Sequence, residues 1–399
     1  MERLILSLLV FLPVTLIAQQ TALRGLNDEP GPAVSRLEDP SFSPGSANIS
    51  LTSSENGTAA YSESVSEGNP SPQTNNSTKA QKTNKSKAQT PDKPARPTYR
   101  GSMVGYVDDA IVGSQIRIRF DAGLHDNAPD RADFFYAQYA GLNGPGPNSV
   151  VTDLNFQQLY LRGEYAPMQR LSFFTEVPFR WIQPQQAVAS VSPTNFLTNE
   201  GGISDVAAGF KLAAIASTNR YLTFQFQATF PSGDASSGLG TDHYSVAPSL
   251  LYFQKFSDRL TLEAELGDSH PIGGSSCRTP CTSTNLSGPA TQGFAGDVFY
   301  YGFGPSYLLY RGEHVQVAPV IELVGWTVLG GLETNCVPGV PNCAVQEAMS
   351  ADGTDIVNIK AGARAMVGAH SSFYIGYGHQ LTHAFWYKEI VRAEYRYSF

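Results

Sequence analysis

Residues 389–399, EIVRAEYRYSF, alternate strictly. Val391, Ala393, Tyr395, Tyr397 and Phe399 take one parity, and Arg392, Glu394, Arg396 and Ser398 take the other. A period of two marks a β-strand with two unlike faces. One face here suits hydrocarbon with aromatics at a water boundary, and the other suits a wet interior. Such a strand leaves backbone N–H and C=O groups unpaired along its edges. In hydrocarbon that is tolerated only when the sheet closes into a barrel. An edge strand of a soluble all-β protein is the competing reading, so the rest of the chain has to decide.

The alternation recurs from Ser114 onward, in about twelve segments: 114–125, 155–166, 170–183, 203–216, 220–231, 243–256, 259–271, 295–310, 314–328, 354–367, 371–380 and 387–399. In the fifth, Leu222, Phe224, Phe226, Ala228 and Phe230 oppose Thr223, Gln225, Gln227 and Thr229. In the first, Ile116, Ile118, Phe120, Ala122 and Leu124 oppose Arg117, Arg119, Asp121 and His125. Each segment is long enough to cross a bilayer at a tilt, for which about 9 to 11 residues suffice. With 22 Phe, 19 Tyr and only 16% charged residues, the composition fits a barrel that alternates lipid-facing and water-facing side chains.

The connections discriminate further. Tight turns fall near 167–170, 217–220, 257–259, 311–314 and 368–371. Between them lie mostly long loops, 126–154, 184–202, 232–242, 272–294 and 329–353, and a shorter one at 381–386. Short turns on one side and long loops on the other are the habit of outer-membrane barrels. A soluble sandwich has no reason to alternate in this way. The reading is an all-β, transmembrane, antiparallel up-and-down β-barrel of about twelve strands over 114–399. An even strand count places both ends of the barrel on the periplasmic side of a bacterial outer membrane.

Upstream, residues 1–18 read as a signal peptide: Arg3 precedes an almost wholly apolar run from Leu4 to Ile17, and Ala18 comes before polar Gln19 and Gln20. Residues 19–100 are rich in Ser, Thr, Asn, Pro and Lys, and should form a disordered periplasmic tract. Its basic end, KAQKTNKSKAQTPDKPARP, could contact peptidoglycan, although a plain solvated linker accounts for it as well. Residues 101–113, GSMVGYVDDAIVG, could be a plug inside the barrel, an extra strand or a lead-in.

Cys277, Cys281, Cys336 and Cys343 all fall in two of the long loops. In an exported protein disulfides are expected, and Cys277–Cys281 with Cys336–Cys343 is the economical pairing of three. The spacings lack a His cluster that would suggest zinc. The parity that faces inward carries Arg117, Arg119, Asp121, Glu176, Arg180, Glu263, Glu265, Lys360, Arg364, Arg392, Glu394 and Arg396, with Arg162, Glu164, Lys211 and Glu322 beside them. These lumen-lining charges would either brace the barrel as ion pairs or form a constriction that selects solutes. Among them Arg117, Arg119, Glu176, Arg180, Glu263, Glu265, Lys360 and Arg364 are the candidates to touch a solute. No Gly-x-Ser-x-Gly, phosphate loop, HExxH or basic nucleic-acid patch occurs, so no enzyme activity, metal, cofactor or nucleic-acid partner is expected.

Two stretches carry a resemblance. GGISDVAAGFKLAAI (201–215) opens a strand with Gly-x-x-Asp, and TFPSGDASSGLGTDHYSVAPSLLYFQKFSDRLTLEAELG (229–267) ends one strand in Phe-Pro-Ser-Gly-Asp and opens another after Gly-Leu-Gly-Thr. Both look like the outer-membrane proteins of the "MetA-pathway of phenol degradation" family. The resemblance implies a barrel transporter. The family has Thr where Ser232 stands, and the paired-Cys loops and the upstream tract are outside its pattern. Physically, Asp234 reads as a turn cap and Gly238 and Gly240 as a close turn. The last strand also resembles the terminal strand of outer-membrane barrels. That resemblance makes Tyr395, Tyr397 and Phe399 an assembly signal for the barrel-assembly machinery and an anchor in outer-membrane lipid. The expected function is a porin-like channel for passive passage of small, hydrophobic or aromatic solutes. A structural or adhesion barrel with a closed lumen and working loops is the alternative.

Overall fold

The computed structural model describes residues 101–130, 135–136, 144–190, 197–273, 293–336, 339–340 and 346–399. The expected signal peptide and disordered tract lie outside them. Twelve strands form one closed antiparallel sheet. We number them β1 (Gln115–Asp126), β2 (Ser149–Met168), β3 (Leu171–Ser190), β4 (Glu200–Ile203 and Val206–Ser217), β5 (Arg220–Phe230), β6 (Tyr244–Lys255), β7 (Leu260–Ile272), β8 (Val298–Tyr307), β9 (Val315–Val328), β10 (Asp355–Val367), β11 (Ser371–Gln380) and β12 (Glu389–Ser398). Each strand pairs with its sequence neighbours, and β12 returns to pair with β1. That last seam runs from Gln115↔Ser398 to Leu124↔Glu389, so Arg117 stands opposite Arg396, Arg119 opposite Glu394 and Asp121 opposite Arg392. The closing strand therefore lies where its alternation predicts, with its polar parity on the same face as that of β1.

The outward parity is apolar and uncovered. Ile116, Leu161, Phe173, Leu212, Phe224, Leu250, Leu266, Phe303, Ile321, Ile359, Ile375 and Tyr397 are all exposed, Ile321 at 58% and Phe173 at 52%. Isolated exposed apolar residues are ordinary in a soluble protein, but a continuous belt around a barrel is not. The inward parity, by contrast, is charged and buried. This inversion of the soluble arrangement is what makes the barrel transmembrane. Aromatic pairs lie along the outer face near the seam: Tyr395 packs on Phe373 at 4.9 Å, and Tyr397 lies between His370 and Phe399.

One rim carries the short turns and the other the long connections, as the spacing predicts. At the turn rim β1 begins and β12 ends together: Phe399 N–H donates to Ser114 O, and Ala166 N–H to Ser114 Oγ. At the loop rim the structure departs from the sequence reading in three places. β2 and β3 run past the 155–166 and 170–183 segments and stand above the rest of the wall. β4 is interrupted at Ser204–Asp205, where Ser204 N–H still reaches Pro178 O of β3 at 2.9 Å. The stretch read as a plain loop at 329–353 holds a hairpin, Leu332–Cys336 with Gln346–Ser350.

Candidate functional site: the barrel interior

The inward charges of β1, β2, β3, β10 and β12 form one connected network. Glu176 Oε2 receives Arg117 at 3.0 Å, and Glu176 also faces Arg119 at 3.6 Å and Arg162 at 3.9 Å. Glu394 receives Arg364 at 2.8 Å and Arg396 at 2.9 Å. Arg392 grips Asp121 through two N–H groups, at 2.7 and 2.8 Å. Lys211 meets Glu164 at 3.2 Å, and Gln115 and Ser172 also donate to that carboxylate. The register sets like charges side by side, Arg396 next to Arg117 and Arg117 next to Arg162. Glu176 and Glu394 sit between these cations and offset their repulsion. Two guanidinium groups also lie flat on rings, Arg119 on Tyr160 at 3.7 Å and Arg162 on Phe174 at 3.8 Å.

Residues 101–113 lie inside this ring. They form no strand; they cross the lumen as an irregular loop. Ala110 meets Thr223, and Met103 meets Glu263, both early in strands that start at the turn rim. Between them Tyr106 reaches deepest, its hydroxyl directed to Gly376 O and its ring packed beside the loop-rim cluster. The loop thus comes in and goes out at the turn rim, where it runs on into β1. Val104 and Ala110 are fully buried. The wall holds this loop by its backbone. Glu322 Oε2 accepts from Tyr106 N–H and Val107 N–H, both at 2.8 Å, and Oε1 accepts from Gly105 N–H and the Tyr374 hydroxyl, both at 3.0 Å. Tyr106 itself lies between two cations, with Lys360 Nζ 3.9 Å and Arg392 4.1 Å from its ring centre.

The loop rim is closed by different means. Phe135, Tyr136, Leu154, Phe156, Ile182, Leu239, Val328, Ile356, Trp386 and Tyr387 pack into an apolar core across the mouth. They come from three connections and the upper ends of the strands. Trp326 and Trp386 meet at 4.9 Å, and Arg180 lies against Phe135 at 4.3 Å. Asp130, buried beneath the hairpin, accepts Thr334 N–H at 3.0 Å. Burial outweighs that bond and pushes its carboxyl up to about 6.

The motif residues of the 231–242 loop turn out to be joinery. Asp205, in the break of β4, accepts Gly233 N–H, Thr241 N–H and the Thr241 hydroxyl. Ser232 Oγ takes Val206 N–H and donates to Ser204 O. Asp234 caps a short turn at Ala235–Ser237 by accepting Ser236 N–H, and the hydroxyls of Ser236 and Ser237, which also donate to it, hold its carboxyl below the usual range. Gly238 ends that turn at φ +71°, and Gly240 lies against Gly233 so closely that a side chain there would meet backbone.

All twelve inward residues singled out from sequence face the interior, but they do not line an open water path. Arg117, Arg119, Asp121, Glu176, Arg364, Arg392, Glu394 and Arg396 bind one another. Glu263, Glu265, Arg364, Arg392 and Arg396 bind the inner loop. Lys360 donates to the Tyr387 hydroxyl at 2.9 Å. What the alternation did not single out is the inner loop itself and its uncharged partners Thr223, Gln225 and Tyr374. Nor did it weight Glu322 above its neighbours. Of the cysteines, Cys336 ends a hairpin strand and carries no free thiol. The pairings proposed for Cys277, Cys281 and Cys343 lie outside the described residues.

Residues 142–268 match the family profile described as "Putative MetA-pathway of phenol degradation". The match covers less than half of the chain and contains both motif stretches, so the resemblance to that family is shown. It begins just before β2 and ends within β7. Among curated protein sequences none matches. Solved structures with the same kind of barrel include the COG4313 outer membrane channel from Pseudomonas putida F1, at 15% identity and a TM-score of 0.45, covering 72% of this chain and 96% of that one. The beta domain of the Bordetella autotransporter BrkA has 14% identity and a TM-score of 0.40, covering 72% and 100%. LpxR from Salmonella typhimurium has 8% identity and a TM-score of 0.35, covering 72% and 100%.

Proposed function

We propose that the protein is a bacterial outer-membrane channel for passive passage of small solutes, held shut in this structure by residues 101–113 and by the loop-rim core. The turn rim faces the periplasm. The supporting observation is the identity of what fills the lumen. A barrel meant to stay shut is filled economically by apolar side chains of its own wall, since replacing buried ion pairs with packed hydrophobes is often neutral or stabilising. Here charged wall residues are spent on a loop that is no part of the wall and is attached at one rim. Such a filler can leave without breaking a strand pairing. The apolar mouth and the aromatic cluster of Trp326, Trp386 and Tyr387 favour hydrophobic or aromatic solutes. In assembly, Tyr395, Tyr397 and Phe399 present the exposed aromatic edge that the barrel-assembly machinery would read.

The filled lumen also favours the other reading, a closed structural barrel that works through its loops. Conductance in planar bilayers separates them. The full-length protein should open rarely, and a variant that lacks residues 103–110 and carries Phe156→Ala and Trp386→Ala to loosen the loop-rim core should conduct steadily. A deletion variant that is folded yet silent at every voltage would leave the closed barrel standing.

A further inference from the structure

The wall groups that hold the inner loop read its main chain. Glu322 takes the N–H groups of Gly105, Tyr106 and Val107. Glu263 takes that of Met103, and Glu265 that of Asp108, each at 2.8 Å. In the other direction Arg364 donates to Met103 O and Val104 O, and Arg392 to Gly105 O. Lys211 donates to Asp109 O at 2.8 Å, and the Thr223 hydroxyl to Ala110 O. From 103 to 110 five amides and five carbonyls are taken by side chains of the wall, three of the amides by Glu322 and two of the carbonyls by Arg364. Side-chain recognition is sparser: Tyr106 between Lys360 and Arg392, Asp108 on Gln225, and Asp109 on Arg396.

Elsewhere a protein binds an extended peptide by adding it to a sheet edge. A closed barrel has no edge to offer, because every wall amide is spent on the neighbouring strand. Carboxylates and guanidinium groups replace it here, carboxylates for N–H and cations for C=O. Such bonds are short and strong when the partners are dry. Any occupant must present peptide N–H and C=O groups in the bent arrangement of residues 103–110, with three successive N–H groups turned to one carboxylate.

We propose that the lumen is a binding site for a short peptide in a bent conformation, recognised through its main chain, and that residues 103–110 occupy it as a resident, displaceable ligand. The site prefers a small residue where Gly105 stands, since a side chain there would run into the Tyr374 ring. It prefers an aromatic one where Tyr106 stands, between the two cations. The inference rests on the channel reading for its use, naming peptides as a solute class, but it concerns occupancy and not flux.

The test uses full-length protein carrying Val107→Cys, in detergent, labelled with a water-soluble maleimide. The parent protein serves as the blank, and the heat-dependent gel shift of a closed barrel serves as the check on folding. Alone, the buried thiol should label slowly. Free peptide GSMVGYVDDAIVG in millimolar excess should raise the rate roughly tenfold by displacing the resident loop. The same peptide N-methylated at the amides matching Tyr106 and Val107 should not, while one with Ala for Ile111 and Val112 should act like the parent peptide. Adding Glu322→Ala to the cysteine protein should raise the basal rate; should that variant not fold, Lys211→Met takes its place. No acceleration by the unmethylated peptide, or equal acceleration by the methylated one, overturns the proposal. A protein that binds peptide yet never conducts would keep this inference and remove the channel reading.

Discussion

Arg392 gives two N–H groups to Asp121 and a third to Gly105 O, so one guanidinium ties β12 to β1 and both to the inner loop. Removing it takes the closer of two counter-charges from a buried carboxylate and leaves only Arg119, 3.5 Å away, so the loss falls below the roughly 3–5 kcal/mol of a fully stranded charge. Arg392→Met should lower the denaturant midpoint of the barrel sharply. Adding Asp121→Asn should restore part of the loss, because the stranded charge is then gone. Failure of the second change to help would mean that packing, and not charge, is what Arg392 supplies. Gly105 tests the opposite kind of dependence. Gly105→Val meets the Tyr374 ring and should push the loop out, raising open probability in bilayers without weakening the wall; Tyr374→Ala in the same chain should close it again. At Asp130 the sign follows from burial. The carboxyl holds its proton up to about 6 in the folded protein against 3.8 for a free one. Docking of this residue under the hairpin is therefore firmest below the lower value and weakens as pH rises through the upper one. Hydrogen exchange at Thr334 N–H, corrected for its intrinsic rate, should be slower at pH 5 than at pH 7.5, and Asp130→Asn should abolish the difference.

Among the elements, the strands were readable, whereas the inner loop stayed one of three readings of residues 101–113, for one physical reason. A wall strand is recognised by its side chains, lipid on one face and water or ions on the other, so its sequence must alternate. GSMVGYVDDAIVG is recognised through its amides and carbonyls, which every residue type carries, so little in its side chains need show a period. The same reasoning explains the errors at the loop rim. Val150, Val151 and Leu154 of β2 are buried together because both faces pack under loops there, and the alternation that marks the rest of the strand is lost. The inward charges were readable as a set, whereas their partners were not, since pairing depends on a register that only closure fixes. Turn chemistry in the 231–242 loop was half legible. Asp234 is the cap its motif suggests, but the anchor is Asp205, a loop away. Asp205→Ala frees Gly233 N–H and Thr241 N–H together. It should make this loop susceptible to limited proteolysis while the strands stay protected, and cleavage elsewhere first would show that the loop is held by something else.

Over the whole molecule, the inner loop lies directly before β1, while the groups that grip it hardest sit on β9, β10 and β12. The bond from Arg392 to Gly105 spans 287 residues of sequence. Contacts of such separation form late, because closing long stretches of chain costs entropy before it returns any energy. Until β12 docks on β1, the loop lacks Arg392 and Arg396 together, and Asp121 on the first strand has only Arg119 of its own strand beside it. Sealing the cylinder and seating the loop thus belong to a single cooperative event at the end of folding. A half-built barrel would hold a loose, hydrated segment, with Glu394, Arg392 and Arg396 still without their partners on β1, β10 and the loop.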